Sequence, residues 1–159
     1  MKCYMGQPAL RKDPMRNDQQ IIIDTDAFIG LMHETDALHA QATAIYQSLK
    51  EQRVQFTTTS AVVTETATLL SYRRGQAAAC KFLHDFIDSG AFPVIFVKEA
   101  LYQQGLAFFK AQTKKGTSFT DCVNAATCHQ LEMPWIFSFD QVYAKKFGLQ
   151  LVELAQSDD

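Results

Sequence analysis

The residues able to do chemistry in this chain are acids. Asp24 and Asp26 follow an apolar run in "IIIDTDAFIG", Glu65 lies within "TTSAVVTETATLL", Asp121 within "SFTDCVNAATC", and Asp140 directly follows "WIFSF". Singly, each has a structural use. Asp24, Asp121 and Asp140 stand where helices begin and could cap them, Asp26 could cap the same helix as Asp24, and a glutamate in early helical turns is favoured by the helix dipole. Glu65 shares a helical face with Val62 and Leu69, at spacings of three and four. It therefore points along the apolar stripe, where an isolated carboxylate is costly unless paired. Brought together, such anionic groups repel one another strongly unless cations lie among them. Oxygen donors without histidine or cysteine favour one or two Mg²⁺ or Mn²⁺ ions over zinc. Asn124, on the same helical face as Asp121, could add a neutral oxygen ligand or a hydrogen bond to water.

Whether these groups can meet depends on the elements that carry them. Residues 1–20 have no periodicity, two prolines and charges of both signs, and read as a flexible leader. Ile21 to Asp24 reads as a strand, and Asp36 is expected to cap a helix from about Ala37 to Gln52. "VQFTTT" is a second strand, followed by a helix from about Ser60 that stops at Gly75. "QAAACKFLHDFIDSG" is a helix, "PVIFV" a strand, and "KEALYQQGLAFFKAQTKKG" and "TSFTDCVNAATCHQLE" are helices. "PWIFSF", the helix "DQVYAKKFG" and "LQLV" end the series, with 154–159 as a flexible tail. Short strands that are apolar nearly throughout and alternate with helices belong to a parallel sheet covered on both faces. The fold expected for residues 21–153 is a three-layer α/β/α sandwich. In such folds the strand-to-helix junctions lie at one edge of the sheet, where ligands bind at the point of reversed strand order. Asp24, Asp121, Asp140 and the inward Glu65 can therefore converge.

Composition narrows the partners. The chain has 159 residues, 47% of them apolar, and a formal net charge of only -2, so no global positive field draws in nucleic acid. A polyanion would have to be held by a local patch or by metal ions. The seven glycines form neither GxGxxG nor GxxxxGK[ST]. Cys3, Cys80, Cys122 and Cys128 make no CxxC pair and read as reduced thiols of a cytoplasmic protein. No apolar run approaches the ~20 residues of a membrane span.

Taken in order, "IIIDTDAFIGL", "TTSAVVTETATLL", "SFTDCVNAATC" and "IFSFDQVYAKKFG" resemble the PIN-domain family of metal-dependent ribonucleases, in particular its VapC-like toxins, over residues 21–152. The resemblance implies a parallel sheet of about five strands. It matches Asp24, Glu65, Asp121 and Asp140 to the family's four acids, and places Thr120 and Ser138 where a small hydroxyl residue often stands. It also implies Mg²⁺- or Mn²⁺-dependent hydrolysis of RNA leaving a 5′-phosphate, an antitoxin partner and a homodimer. Two features depart from the pattern: Asp26 stands where many members carry a small polar residue, and the leader is long.

RNA phosphates need positive partners, for which Arg73, Arg74, Lys114, Lys115, Lys145 and Lys146 are candidates. All six are expected in final helical turns, where the dipole favours cations in any case. Two other functions fit parts of the sequence. "IIIDTDAF" is also similar to the first motif of haloacid-dehalogenase-like phosphatases, but "IFSFDQ" offers one acid where that chemistry needs two, and Glu65 has no place in it. A PIN-like fold with inactive acids, serving as an RNA- or protein-binding module, is the other.

Overall fold

The computed structural model describes residues 19–154; the proposed leader and tail lie outside them, apart from residues 19, 20 and 154. Five strands form one parallel sheet: β1 (Gln20–Ile23), β2 (Gln55–Thr59), β3 (Val94–Ile95), β4 (Trp135–Phe137) and β5 (Gln150–Leu151), in the order β3-β2-β1-β4-β5. Both neighbours of β1 run parallel to it, Ile22 pairing with Thr57 on one side and with Ile136 on the other. Successive side chains of a strand face opposite ways. Ile21 and Ile23 accordingly enter one apolar layer and Ile22 the other, all three fully buried.

The first layer is roofed by α1 (Thr25–Met32), α2 (His39–Glu51), α3 (Ser60–Arg74) and α4 (Gln76–Phe82). Phe28 sits at its centre, edge-on to Phe82 at 5.1 Å and to Phe92 at 5.0 Å. The opposite face is covered by α6 (Phe119–Gln130) and α7 (Val142–Phe147), with α5 (Glu99–Lys110) packed on α6. Gly105 makes that last contact possible, since a Cβ there would stand 2.7 Å from Val123 Cγ2. The expected α/β/α sandwich is what forms.

Several local expectations are corrected. The second helix begins at His39, and Asp36 instead receives the Leu38 amide, at 2.9 Å, in the turn before it. The helix expected over residues 76–90 ends as an α-helix at Phe82 and widens into a π-helical segment, Leu83–Asp88. The Phe82 and Phe86 rings stay together, inclined at 31° with centroids 6.0 Å apart, through that change of pitch, and apolar spacing alone does not separate the two helix types. The fifth helix stops at Lys110, so Lys114 and Lys115 lie in the connection to α6 and not in a final helical turn.

The strand order reverses between β1 and β4. At that point the Asp24 amide donates to Phe137 O, at 3.0 Å, carrying the pairing one residue beyond β1. The crevice outside the carboxyl ends of β1 and β4 is where the rule for open α/β sheets places a ligand.

Candidate active site

A cleft of about 460 Å³ opens there, lined by Asp24, Asp26, Glu65, Asp121 and Asp140 together with Thr25, Ser118 and Arg73. Three helices begin around it. Asp24 is the N-cap of α1 and accepts from the Thr25 amide at 2.8 Å. Asp121 closes a capping box with Ser118, whose amide reaches Asp121 Oδ2 at 2.6 Å. Asp140 receives the Val142 amide at 2.8 Å, at the start of α7. The capping roles that the sequence allowed are therefore real, and they are also what aims these carboxylates at one cleft. The positive helix ends partly offset the mutual repulsion.

Asp121 reaches the cleft by a route the sequence did not suggest. It follows a helix and an irregular connection, not a strand, so the strand-to-helix rule does not place it. Glu65 is also displaced from expectation. The buried stripe of α3 is Val62, Thr66 and Leu70, whereas Glu65, Leu69 and Arg73 form an adjacent ridge that lines the cleft. The half-buried Glu65 is held by the Thr25 hydroxyl, which donates to Oε2 at 2.6 Å while Thr66 donates to Thr25 at 3.2 Å.

Asp24 is almost wholly buried and is the hub of the site. Its Oδ1 accepts from Asn124 Nδ2 at 3.1 Å, and its Oδ2 faces the hydroxyls of Ser138 at 3.1 Å and Tyr143 at 2.9 Å. Thr59, the N-cap of α3, donates to Asn124 Oδ1 at 2.8 Å and so turns the amide nitrogen toward Asp24. Ser138 Oγ also lies 3.0 Å from Asp26 Oδ2, and the Tyr143 hydroxyl 3.3 Å from Asp121 Oδ1. A hydroxyl has one hydrogen to give. Two hydrogens therefore serve four carboxylate contacts, and the cluster is short of positive charge.

Asp26 belongs to this cluster as well as to α1. Its Oδ2 accepts from the Phe139 amide at 2.8 Å, tying α1 to the end of β4, while its buried Oδ1 has no partner. Burial, then the charges of Asp26 and Asp121, holds the Asp24 carboxyl well above the ordinary value of 3.8. Burial is likewise the largest cause that raises Asp26 and Asp121, with Asp140 adding to both and Glu65 to Asp121. Among the described residues none of the five acids is in an ion pair; the pairs formed are Lys81 and His84 with Asp85, on the surface.

A carboxyl whose value is raised by folding contributes stability that is complete below the unfolded value and is lost as pH rises through the folded one. In chelator, the melting temperature of Asp24→Asn minus that of the unaltered protein should accordingly grow as pH rises from about 4 toward neutrality. Melts across that range check it. A difference independent of pH would mean that Asp24 titrates as an ordinary surface acid.

The remaining candidates divide. Asn124 and Ser138 are in the acid network. Thr120 is not: it faces a neighbouring groove. Arg73 lines the cleft, and Lys146 Nζ donates to Thr117 on its rim. Lys114 and Lys115 directly precede Gly116 and Thr117, which line the same wall, while Arg74 and Lys145 are exposed and line neither cavity. Sequence reading passed over Thr25, Thr59 and Tyr143. Thr25 carried a signal, standing between two acids, and Tyr143 lies one helical turn beyond Asp140, on the side that faces the core.

A family model described as the PIN domain matches residues 21–147. The chain belongs to the PIN-domain family. It is 30% identical over 125 residues to a VapC ribonuclease of Archaeoglobus fulgidus, spanning 77% of this chain and 78% of that protein. The crystal structure of VapC20 from Mycobacterium tuberculosis, described as a sarcin-ricin loop cleaving toxin, superposes with a TM-score of 0.71 at 25% identity, over 80% of this chain and 95% of the other. FitAcB from Neisseria gonorrhoeae shares the fold, with a TM-score of 0.61 at 16% identity, over 84% and 96% of the two chains. Membership of the PIN-domain family removes the phosphatase reading of Asp24 and Asp26.

The donor set of this PIN domain suits a hard cation. The lining of the cleft includes oxygen donors but no histidine or cysteine, the hydroxyl hydrogens are too few for the carboxylates, and one buried oxygen of Asp26 is unpartnered. Mg²⁺ or Mn²⁺ fits such donors, and Asp24, Glu65, Asp121 and Asp140 are the residues that could hold it. Among the described residues no three acidic, His or Cys side chains are close enough to form a ready cage. Holding an ion therefore calls for movement of side chains, for which the half-buried Glu65 and the exposed Asp140 have room.

Proposed function

We propose that this PIN domain is a metal-dependent endoribonuclease that hydrolyses RNA phosphodiester bonds, and that it is the toxin of a VapBC-type toxin-antitoxin pair. The observation that carries the reading is the convergence of five acids from four separate stretches of the chain on one cleft, none of them in an ion pair among the described residues. The names of its relatives, a VapC ribonuclease and a sarcin-ricin loop cleaving toxin, support RNA as substrate and an antitoxin as partner. A homodimer acting in the cytoplasm is part of the same proposal. No helix among the described residues is long and apolar enough to cross a membrane.

In this mechanism the residues divide the work. One or two Mg²⁺ or Mn²⁺ ions, when bound, supply charge stabilisation at the phosphate and lower the pKa of a water. Asp24 and Asp121 are the main residues to hold them, with Asp140 binding directly or through water. Glu65, whose Oε2 accepts from the Thr25 hydroxyl, would serve as a further ligand or orient the attacking water for in-line displacement. Asn124, Ser138 and Tyr143 keep Asp24 at a set distance from its neighbours. Arg73 offers a phosphate a positive partner inside the cleft, and Lys114, Lys115 and Lys146 offer others at its rim. No covalent nucleophile is needed.

Incubating the purified full chain with total RNA tests this. Cleavage is expected with Mg²⁺ or Mn²⁺ and complete loss of it in excess EDTA. Undiminished cleavage in EDTA, or none under any condition, would overturn the proposal.

A further inference from the structure

Beside the acid cleft lies a second concavity of about 480 Å³, and Glu65 and Leu69 line both. The groove therefore adjoins the acid cleft, with Glu65 and Leu69 at the edge between them. Its chemistry is different. Apart from Glu65 at the shared edge it has no charged lining, and Ala61, Leu69, Val97 and Val123 are among its apolar lining. Tyr102 and Phe119 form its aromatic wall, with ring centroids 5.4 Å apart. Tyr102 is 47% exposed, although aromatic side chains of that size are usually covered. Thr64, Thr68 and Thr120 also line the groove.

Resting on the ribonuclease reading above, we propose that this groove is a nucleobase subsite. It takes one unpaired base of the RNA, next to the phosphate being cut, and stacks it on the Tyr102 ring, with Phe119, inclined at 57° to that ring, against its edge. Three observations select that occupant. A cavity that has no cation in its lining, and Glu65 at its edge, rejects phosphate but accepts a flat, weakly polar ring. Its volume falls in the range of small-molecule sites, apolar walls with a few polar groups being their usual make-up. Its shared edge with the acid cleft, at Glu65 and Leu69, puts the neighbouring base of a strand with one phosphate among the acids beside the groove. Thr120, which the sequence grouped with the acids, would then contact the base and not the metal site.

The test uses the full chain carrying Asp24→Asn, so that the strand is not cut, and a short single-stranded RNA together with versions abasic at each successive position. At one position, removal of the base should weaken binding, and Tyr102→Ala should weaken the intact strand by about five- to a hundredfold. With the strand abasic at that position, Tyr102→Ala should cost nothing further, and Tyr102→Phe should restore affinity because the ring and not the hydroxyl stacks. Equal binding of all strands by both proteins would overturn the subsite. So would a Tyr102→Ala protein that binds RNA unchanged but shifts its oligomeric state in sedimentation, which would assign the groove to a second copy of the chain. Failure of the parent protein, with Asp24 intact, to cleave any RNA would instead strike the ribonuclease reading and the subsite with it.

Discussion

Asp24→Asn should reduce RNA cleavage by about a thousandfold or more, a loss of about 4 kcal/mol of transition-state stabilisation, while the protein stays folded and melts no lower in chelator. The two halves of this result come from the same geometry. Asp24 receives four hydrogen bonds, two on each oxygen. An amide in its place keeps its oxygen toward the Thr25 amide and Asn124, and turns its nitrogen toward Ser138 and Tyr143. Both hydroxyls can accept that new donor and release their own hydrogens to Asp26 and Asp121, the alternative partners they already face. No buried group is orphaned, and one buried negative charge is removed from beside two others. What is lost is the charge that would hold a cation. Cleavage assays and thermal melts on the same preparation check both halves. Retained cleavage would remove Asp24 from the mechanism, and a large fall in melting temperature would mean that its charge stabilises the fold.

Mn²⁺ should raise the melting temperature of the unaltered protein by about 5–10 °C at a concentration about a hundredfold above its dissociation constant. Binding to the folded state alone contributes about 2.7 kcal/mol under those conditions, and a domain of this size moves by about 2–4 °C per kcal/mol. The direction follows from the cluster. Burial, with the charges of neighbouring acids, raises the values of Asp24, Asp26 and Asp121, and a divalent ion removes that repulsion as well as adding ligand bonds. The same measurement on Asp24→Asn/Asp121→Asn should give almost no shift, since both main holders are then neutral. An unaltered protein indifferent to Mn²⁺ would favour an inactive PIN fold that binds RNA or protein without cutting it.

Much of the architecture was legible in the chain because short-range chemistry writes it. The run Ile21–Ile23, buried on both faces of the sheet, reads as an interior parallel strand, and Gly75 marks the end of α3 through its positive φ of 91°. Alternating strands and helices then leave few arrangements other than a covered parallel sheet. Where the pattern is ambiguous the reading slipped. The π-helical segment shares its apolar spacing with an ordinary helix, and the run to Lys114 and Lys115 continues the helical pattern although the helix ends at Lys110.

The site divides in the same way. Residue types in sequence determined which acids are available, that each can cap or begin a helix, and that a hard cation and not zinc would suit them. Only the tertiary structure decided which of them share a cleft. It moved Asp26 into the cluster through the Phe139 amide and Ser138, more than a hundred residues away. It put Glu65 on a ridge beside the core stripe, sent Thr120 to the neighbouring groove, and set Tyr143 between Asp24 and Asp121. Caps, stripes and strands are fixed by contacts a few residues apart, which a single chain displays directly. Hydrogen bonds that join residues 24, 124, 138 and 143 depend on strand order and on the crossing of α6 and α7 over the sheet, and those exist only once the whole core has closed.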